Sequence, residues 1–362
     1  MIGYITAGES HGPCLTVIVE GLPAGVRVDE SAIRADLARR QIPIGAGARM
    51  SIETDCARVT GGVMAGVTTG APLAMTIENR NHGAWKGREV SAYVTARPGH
   101  ADFAAAVKYG YGDIRPALER ASARETASRV AAGAVCRSML AEFGITVEGR
   151  VAEIGGVKAR GDGSLGPGIE EAISAAKAEG ETLGGVIEIV ARGVQVGLGG
   201  HVTPEKRLDA RLAGALMGMQ AIKGVEIGDG FALARMKGTC AQDAILGTDG
   251  ARRTNRMGGI EGGISNGMPI VARIAMKPIP TTLKPQETVN LATGDPAATV
   301  YERSDFCPVP RAVVVAEAIA CVVIADALKE KLGGDSISEM KPRFESLARS
   351  ARLDGESRIW WE

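Results

Sequence analysis

The stretch PRAVVVAEAIACVVIADALKEKL, from Pro310 to Leu332, constrains the fold more than any other. It reads as one long helix that is apolar on nearly every side, and such a helix belongs in an interior. Its most apolar part, residues 312–328, is short for a membrane span and carries Glu317 and Asp326, so it is read as buried. LTVIVEGLPAG reads as a strand and turn, DESAIRADLARRQ as a short helix capped by Asp29 or Ser31, and LAMTI (73–77) as a buried strand. Ser122 and Glu125 have capping-box spacing, and beyond them Val130, Ala134, Val135, Met139 and Leu140 form a helical stripe that Gly144 stops. GGVIEIVARGVQVGLG (184–199) alternates like a two-strand ribbon bent at Gly193. RLDARLAGALMGMQAIKG (207–224) reads as a helix closed by Gly224, and PIVARIAMKP (269–278) as a strand.

No Pro- or Ser-rich linker divides these elements, which implies a single α+β domain over residues 1–362, built of antiparallel strands and long helices. TGAPLAMTI (69–77) and NGMPIVARI (266–274) echo one another, which points to a duplication with pseudo-twofold symmetry. Glycine is abundant, 49 residues placed in short motifs, and argues for many special backbone positions. Lys+Arg and Asp+Glu balance at 42 each and aromatics are only 4%, so neither a basic face nor a stacking platform for nucleic acid is present, and no field draws the chain to a membrane. Six cysteines without a CxxC pair read as reduced thiols of a cytoplasmic protein, and the N-terminus has no secretory pattern.

The chemistry is concentrated in polar, glycine-rich segments. AGESHGP (7–13) holds Glu9, Ser10 and His11; RRQIPIGAGARM (39–50) holds Arg39, Arg40 and Arg49. ARPGHADFAAAVKYG (96–110) places Arg97 near His100, and ERSDFCPVPRA (302–312) places Arg303 beside Asp305. In ERASARET (119–126) a helix N-terminus carries Arg120 and Arg124, an arrangement that attracts phosphate or carboxylate. The same segment is also compatible with a well-capped helix whose arginines pair with local acids. His82 and His201 read as loop residues, whereas His11 and His100 lie in tight loops off any apolar face, where a movable proton is useful. Metal-ligand spacing, a Rossmann fingerprint, a P-loop and a nucleophile elbow are all missing. The residues therefore suggest an enzyme with an arginine-lined pocket for a small polyanion, served by His11, His100 and Asp305. Spacing does not name the reaction.

AGESHGP, RPGHAD, ERASARETASRVAAGAV, RLDARLAGALMGMQAIKGVEIGDGF, RRTNRMGGIEGGISNGMPIVAR, KPIPT and ERSD, in order from residue 7 to about 328, resemble the chorismate synthase family. The resemblance implies anti-1,4-elimination of phosphate from 5-enolpyruvylshikimate 3-phosphate, with reduced FMN, NADPH as a candidate reductant and no net redox change. It implies a β-α-β sandwich with internal pseudo-twofold symmetry, assembled as a homotetramer. His11 matches the histidine that protonates or steadies the leaving phosphate, His100 the histidine beside the flavin ring, and Asp305 the aspartate that assists proton removal. Ser10, Arg40, Arg49, Arg97, Arg124 and Arg303 would hold substrate. Arg40, Arg120, Ala121, Ser122, Gln220, Ala221, Gly262, Lys277, Pro278, Ile279, Pro280, Thr281 and Arg303 would contact FMN. One departure stands out: the arginine loop usually reads R-R-Q-G-G-Y-G-R-G-x-R-M, whereas here Ile42-Pro43 replace two glycines and Ala46 replaces an arginine. Either Arg49 or Arg39 compensates, or the loop is rebuilt. RIWW (358–361) reads as a disordered tail or an intersubunit patch, and the cost of exposing paired tryptophans favours the patch.

Overall fold

The computed structural model describes residues 1–41, 44–45, 54–301, 305–348 and 353–356. The first half runs β1 (Gly3–Ala7), β2 (Cys14–Glu20), α1 (Glu30–Arg39), β3 (Ala57–Gly61), β4 (Leu73–Glu78), α2 (Asp102–Tyr109), α3 (Arg115–Ala121) and α4 (Thr126–Ala141). The second half runs β5 (Thr146–Ile154), β6 (Val157–Lys158), α5 (Pro167–Glu179), β7 (Gly185–Arg192), α6 (Leu208–Met217), β8 (Ile222–Ile227), β9 (Ile270–Met276), α7 (Val309–Leu332) and α8 (Ile337–Glu345). Two antiparallel sheets result, one ordered β1-β2-β4-β3 and one ordered β8-β9-β7-β5-β6. This is a mixed, α+β arrangement.

Alternation explains the faces. On β2, Leu15, Val17 and Val19 are buried, and the antiparallel register sets Val17 opposite Met75 of β4. Helix α4 covers β2 and β4, α7 covers β5 and β7, and the two helices pack on each other. They approach so closely that a Cβ built on Gly133 would lie 2.3 Å from the Ala318 Cβ. One apolar cluster extends from Ile2 to Met340. A smaller one, Ala96, Ile114 and Ala117 with Tyr93 and Tyr111 against it, supports the turn that carries His100.

The two acids within the apolar stretch of α7 are both tied. Glu317 accepts from Arg39 (2.7 and 2.8 Å), from Arg137 (2.8 Å) and from the Gly149 amide (2.8 Å). Asp326 holds Arg211 and the Ile2 amide, both at 2.5 Å. Among the described residues no helix is long and apolar enough to cross a membrane.

Asp29, rather than Ser31, caps α1: its carboxylate accepts from the Ser31 and Ala32 amides. Three local expectations change. Ser122 accepts from the Arg124 amide but opens a 3-10 turn over Ala123–Glu125, and α4 begins only at Thr126. Glu125 does not reach back to close a capping box, because Thr6, Arg129 and Gln220 all donate to its buried carboxylate. The 184–199 ribbon is one strand, since β5 and β9 already occupy both edges of β7; the chain leaves at Gly193 with φ +75°. Helix α6 ends at Met217, because residues 222–227 pair with β9 instead of continuing the helix.

Candidate active site

The loop between β1 and β2 turns sharply at Gly8, where φ is +108° and a Cβ would stand 2.4 Å from the Cys14 carbonyl oxygen. The Asn79 amide group, just beyond β4, donates to the carbonyls of Glu9 (3.1 Å) and Gly12 (2.8 Å) and pins this loop. Ser10 and His11 are thereby turned into a cavity of about 450 Å³, within the usual size for small-molecule sites. Its walls come from the end of α1, the 81–85 and 97–101 turns, the α3–α4 junction, the α6–β8 connection, the segment after β9 and the start of α7.

His11 is gripped twice by one carboxylate. Its backbone amide donates to Glu119 Oε2 (2.7 Å), and its Nδ1 lies 2.6 Å from Glu119 Oε1. The Trp85 indole covers the ring, with centroids 4.3 Å apart and planes tilted 38°. His82 sits behind, its Nδ1 3.0 Å from the His11 carbonyl.

His100 has a similar support. Its Nδ1 lies 2.5 Å from Asp102 Oδ1, and Asp102 also accepts from Arg97 Nε (2.8 Å) and Nη2 (3.0 Å). Burial opposes ionisation of Asp102, yet the His100 and Arg97 hydrogen bonds and the Arg97 charge hold its carboxyl well below the ordinary range. Arg97 therefore lines the cavity with its charge already committed to Asp102.

Arg40 and Arg124 share a different carboxylate, the wholly buried Asp55. Arg40 Nη2 donates to it at 2.8 Å, and Arg124 Nη1 donates to its other oxygen. Burial works against ionisation here too, but the two guanidinium charges keep the Asp55 carboxyl below its usual range. Arg124 Nε also donates to Asn79 (2.8 Å), so both arginines are fixed at the wall. Ser122 Oγ donates to the buried Ser10 Oγ at 3.1 Å. Arg311, near enough to Arg40 to feel its charge, donates to Asp305 at 2.7 Å.

The structure thus brings together His11, His100, Asp305, Ser10, Arg40, Arg97 and Arg124. Ala121, Ser122, Gln220, Ala221, Lys277, Ile279, Pro280 and Thr281 also line the cavity. Ala221 has a left-handed backbone, φ +66°, which is rare for a residue with a Cβ. Burial and the neighbouring Lys223 push the Lys277 ammonium below its ordinary value. Three expected contacts do not line the cavity. Arg120 points outward and donates to Thr6, Gly262 lies in the 260–265 hairpin, and Pro278 faces elsewhere. Arg39 is bound to Glu317 and lies outside the cavity as well, so it does not replace the arginine missing at position 46. Arg49, Arg303, Ala46 and the RIWW segment lie outside the described residues.

Asp55, Asn79, Trp85, Glu119 and Arg311 were not among the expected site residues. Arg311 had a local signal, six residues beyond Asp305 at the start of the apolar helix. Asp55 and Glu119 act at long sequence separations, 69 residues from Arg124 and 108 from His11, which no local pattern reveals.

Two buried arginines sharing one carboxylate, two carboxylate-held histidines and an aspartate around one cavity are a set suited to acid–base chemistry on a small polyanion. Comparison with known proteins is specific on this point. The family model for chorismate synthase matches residues 2–328. Chorismate synthase of Caldanaerobacter subterraneus subsp. tengcongensis is 49% identical over 346 residues, covering 95% of this chain and 97% of that protein. That of Geobacter metallireducens is 46% identical over 384 residues, covering 95% and 98%. A crystal structure of a chorismate synthase superposes with a TM-score of 0.76 at 40% identity, over 95% of this chain and 96% of that one. The chain belongs to the chorismate synthase family, and it is a phosphate-eliminating lyase.

Proposed function

We propose that this cavity performs the anti-1,4-elimination of phosphate from 5-enolpyruvylshikimate 3-phosphate to give chorismate, within a single catalytic domain. One observation carries the assignment of roles: His11, His100 and Asp305, from three distant parts of the chain, face one cavity walled by Arg40, Arg124 and Arg311. A phosphorylated dicarboxylate is the kind of ligand such guanidinium groups hold with paired hydrogen bonds. Ser10, Arg40 and Arg124 orient it, Arg49 and Arg303 being the further arginines that the family resemblance assigns to this task, while Arg97 acts through Asp102. His11 gives a proton to, or steadies, the departing phosphate, whose charge grows as the bond breaks. His100 stands across the cavity, with its Nδ1 side held by Asp102. Asp305, anchored by Arg311, serves the side from which the C6 proton leaves.

Reduced FMN fits the remaining wall. Leu118, Met219, Met276 and Ile279 offer an apolar face to a planar ring, the Ala221 turn exposes backbone, and a phosphate would relieve the crowded charge of Lys277 and Lys223. Ala121, Ser122, Gln220, Ala221, Lys277 and Ile279 to Thr281 would hold it, with Arg40 and Arg303 at the shared boundary. Arg120, Gly262 and Pro278 would enter only through an altered loop or a second subunit. When bound, the reduced flavin supplies electron density transiently, without net redox change. NADPH as reductant, a homotetramer and a cytoplasmic setting belong to the same reading. So does a β-α-β sandwich with a pseudo-twofold axis, supported by β4 and β9, the two strands of the sequence echo, each lying inside its own sheet.

The test is an anaerobic assay of phosphate release with reduced FMN, run with and without NADPH. Chorismate and phosphate should appear in equal amounts, and His11→Ala should fold normally while losing about 10²-fold or more in kcat. Full activity in His11→Ala would overturn the assignment of His11.

A further inference from the structure

We infer that Glu119 is the positioning residue of His11: it fixes the ring's tautomer with hydrogen on Nδ1 and presents Nε2 to the cavity. This rests on the reading of His11 as the group that serves the leaving phosphate. It adds a second residue, one that touches neither substrate nor cofactor.

Donors and acceptors around the ring fix where its hydrogen stands. A carboxylate offers two oxygens and no hydrogen. The His11 backbone N–H is an obligatory donor and occupies Glu119 Oε2 at 2.7 Å. Oε1, 2.6 Å from Nδ1, therefore needs that nitrogen to donate, so the ring's own hydrogen stands on Nδ1. Nε2, which has no protein partner among the described residues, is left to take a second proton, and the imidazolium so formed, held at Nδ1 by Glu119, is the form that donates to the leaving phosphate. The Trp85 indole at 4.3 Å fixes the ring plane, and Glu119 fixes rotation within that plane. Loop and ring are thus set by the same carboxylate, because Glu119 binds the residue at its backbone and at its imidazole.

Glu119→Gln separates this role from a merely structural one. A glutamine brings one acceptor and one donor group. Its oxygen must take the backbone N–H, so its NH₂ faces Nδ1 and forces the hydrogen to Nε2. Solid-state ¹⁵N NMR of the full protein labelled at histidine reads the tautomer directly, because the two ring nitrogens of a neutral imidazole resonate far apart. With only four histidines, the His11 signals are assigned by a His11→Gln sample. Spectra taken at about pH 9, above the ordinary histidine range, should show Nδ1–H in the wild type and Nε2–H in Glu119→Gln. Glu119→Asp, which keeps two acceptors, should retain Nδ1–H, and it carries the test if the glutamine variant does not fold. An unchanged tautomer in Glu119→Gln, or Nε2–H in the wild type or in Glu119→Asp, overturns the inference. In the anaerobic assay, Glu119→Gln should lose about 10²-fold in kcat with KM changed less than about threefold, because its NH₂ opposes the Nδ1–H of the imidazolium that must deliver the proton. A switched tautomer with unaltered kcat would uphold Glu119 as the orienting group and remove His11 from the chemistry, so the two readings fail separately.

Discussion

Asp55→Asn isolates what one buried carboxylate does for two arginines. In the wild type, Arg40 and Arg124 each donate to one Asp55 oxygen, and the side chains of all three are almost wholly buried. Asparagine preserves the shape but removes the charge, so its oxygen serves one guanidinium and its NH₂ turns toward the other. Two buried cations then lose the counter-ion they share, a loss of about 3–5 kcal/mol by comparison with broken buried pairs. With an unfolding entropy of about 2.1 cal/mol/K per residue over 362 residues, that corresponds to a melting temperature about 4–7 °C lower. Calorimetry in a phosphate-free buffer makes the comparison. Adding about 10 mM inorganic phosphate should raise the variant's Tm more than the wild type's, because the uncompensated guanidiniums bind an anion that stabilises the folded state. The pH dependence has a definite sign. The Asp55 carboxyl is held below its usual range when folded, so its contribution is complete above the ordinary aspartate range and fades as pH falls through the lower folded value. The gap between wild type and variant should therefore narrow on acidification. A variant melting within about 1 °C of wild type at neutral pH, with the same response to phosphate, would refute the shared-carboxylate account.

Ala221→Gly should gain about 0.5–1 kcal/mol in urea unfolding, because glycine accepts φ +66° without a Cβ penalty. Gly133→Ala should lose at least about 1–3 kcal/mol in the same experiment, since its Cβ would overlap Ala318 between α4 and α7. Arg39→Ala should lower stability by about 1–2 kcal/mol while leaving KM for the substrate unchanged in the anaerobic assay, because Arg39 serves Glu317 and Glu317 keeps Arg137 and the Gly149 amide.

What was legible in the sequence was whatever announced itself within a turn or two of chain. The apolar run of α7, the alternation of β2, β4 and β9 and the Asp29 cap are local patterns, and each forms close to where it was expected. The boundaries that moved are those where a distant partner decides. β7 cannot pair with its own continuation because β5 and β9 hold its edges, and α6 stops where β9 recruits the next six residues. Glu125 had the spacing to close a cap and instead serves Arg129 and Gln220, a choice set by burial.

The same distinction governs the arginines, which are identical as letters and unlike as charges. Arg39, Arg40, Arg97 and Arg124 all stand in glycine-rich or capped segments that attract anions. Their availability depends on which carboxylate reaches each one. Arg97 has Asp102 nearly to itself and orients it toward His100; Arg39 neutralises Glu317 inside the helical layer. Arg40 and Arg124 share Asp55 between them at the wall of the cavity. A phosphate is drawn to the guanidiniums that the folded cavity exposes, rather than to the number of arginines in the sequence. Asp102 lies five residues from Arg97, but Asp55 lies 69 from Arg124 and Glu317 lies 278 from Arg39, so which arginine is held where is decided only when the chain has folded.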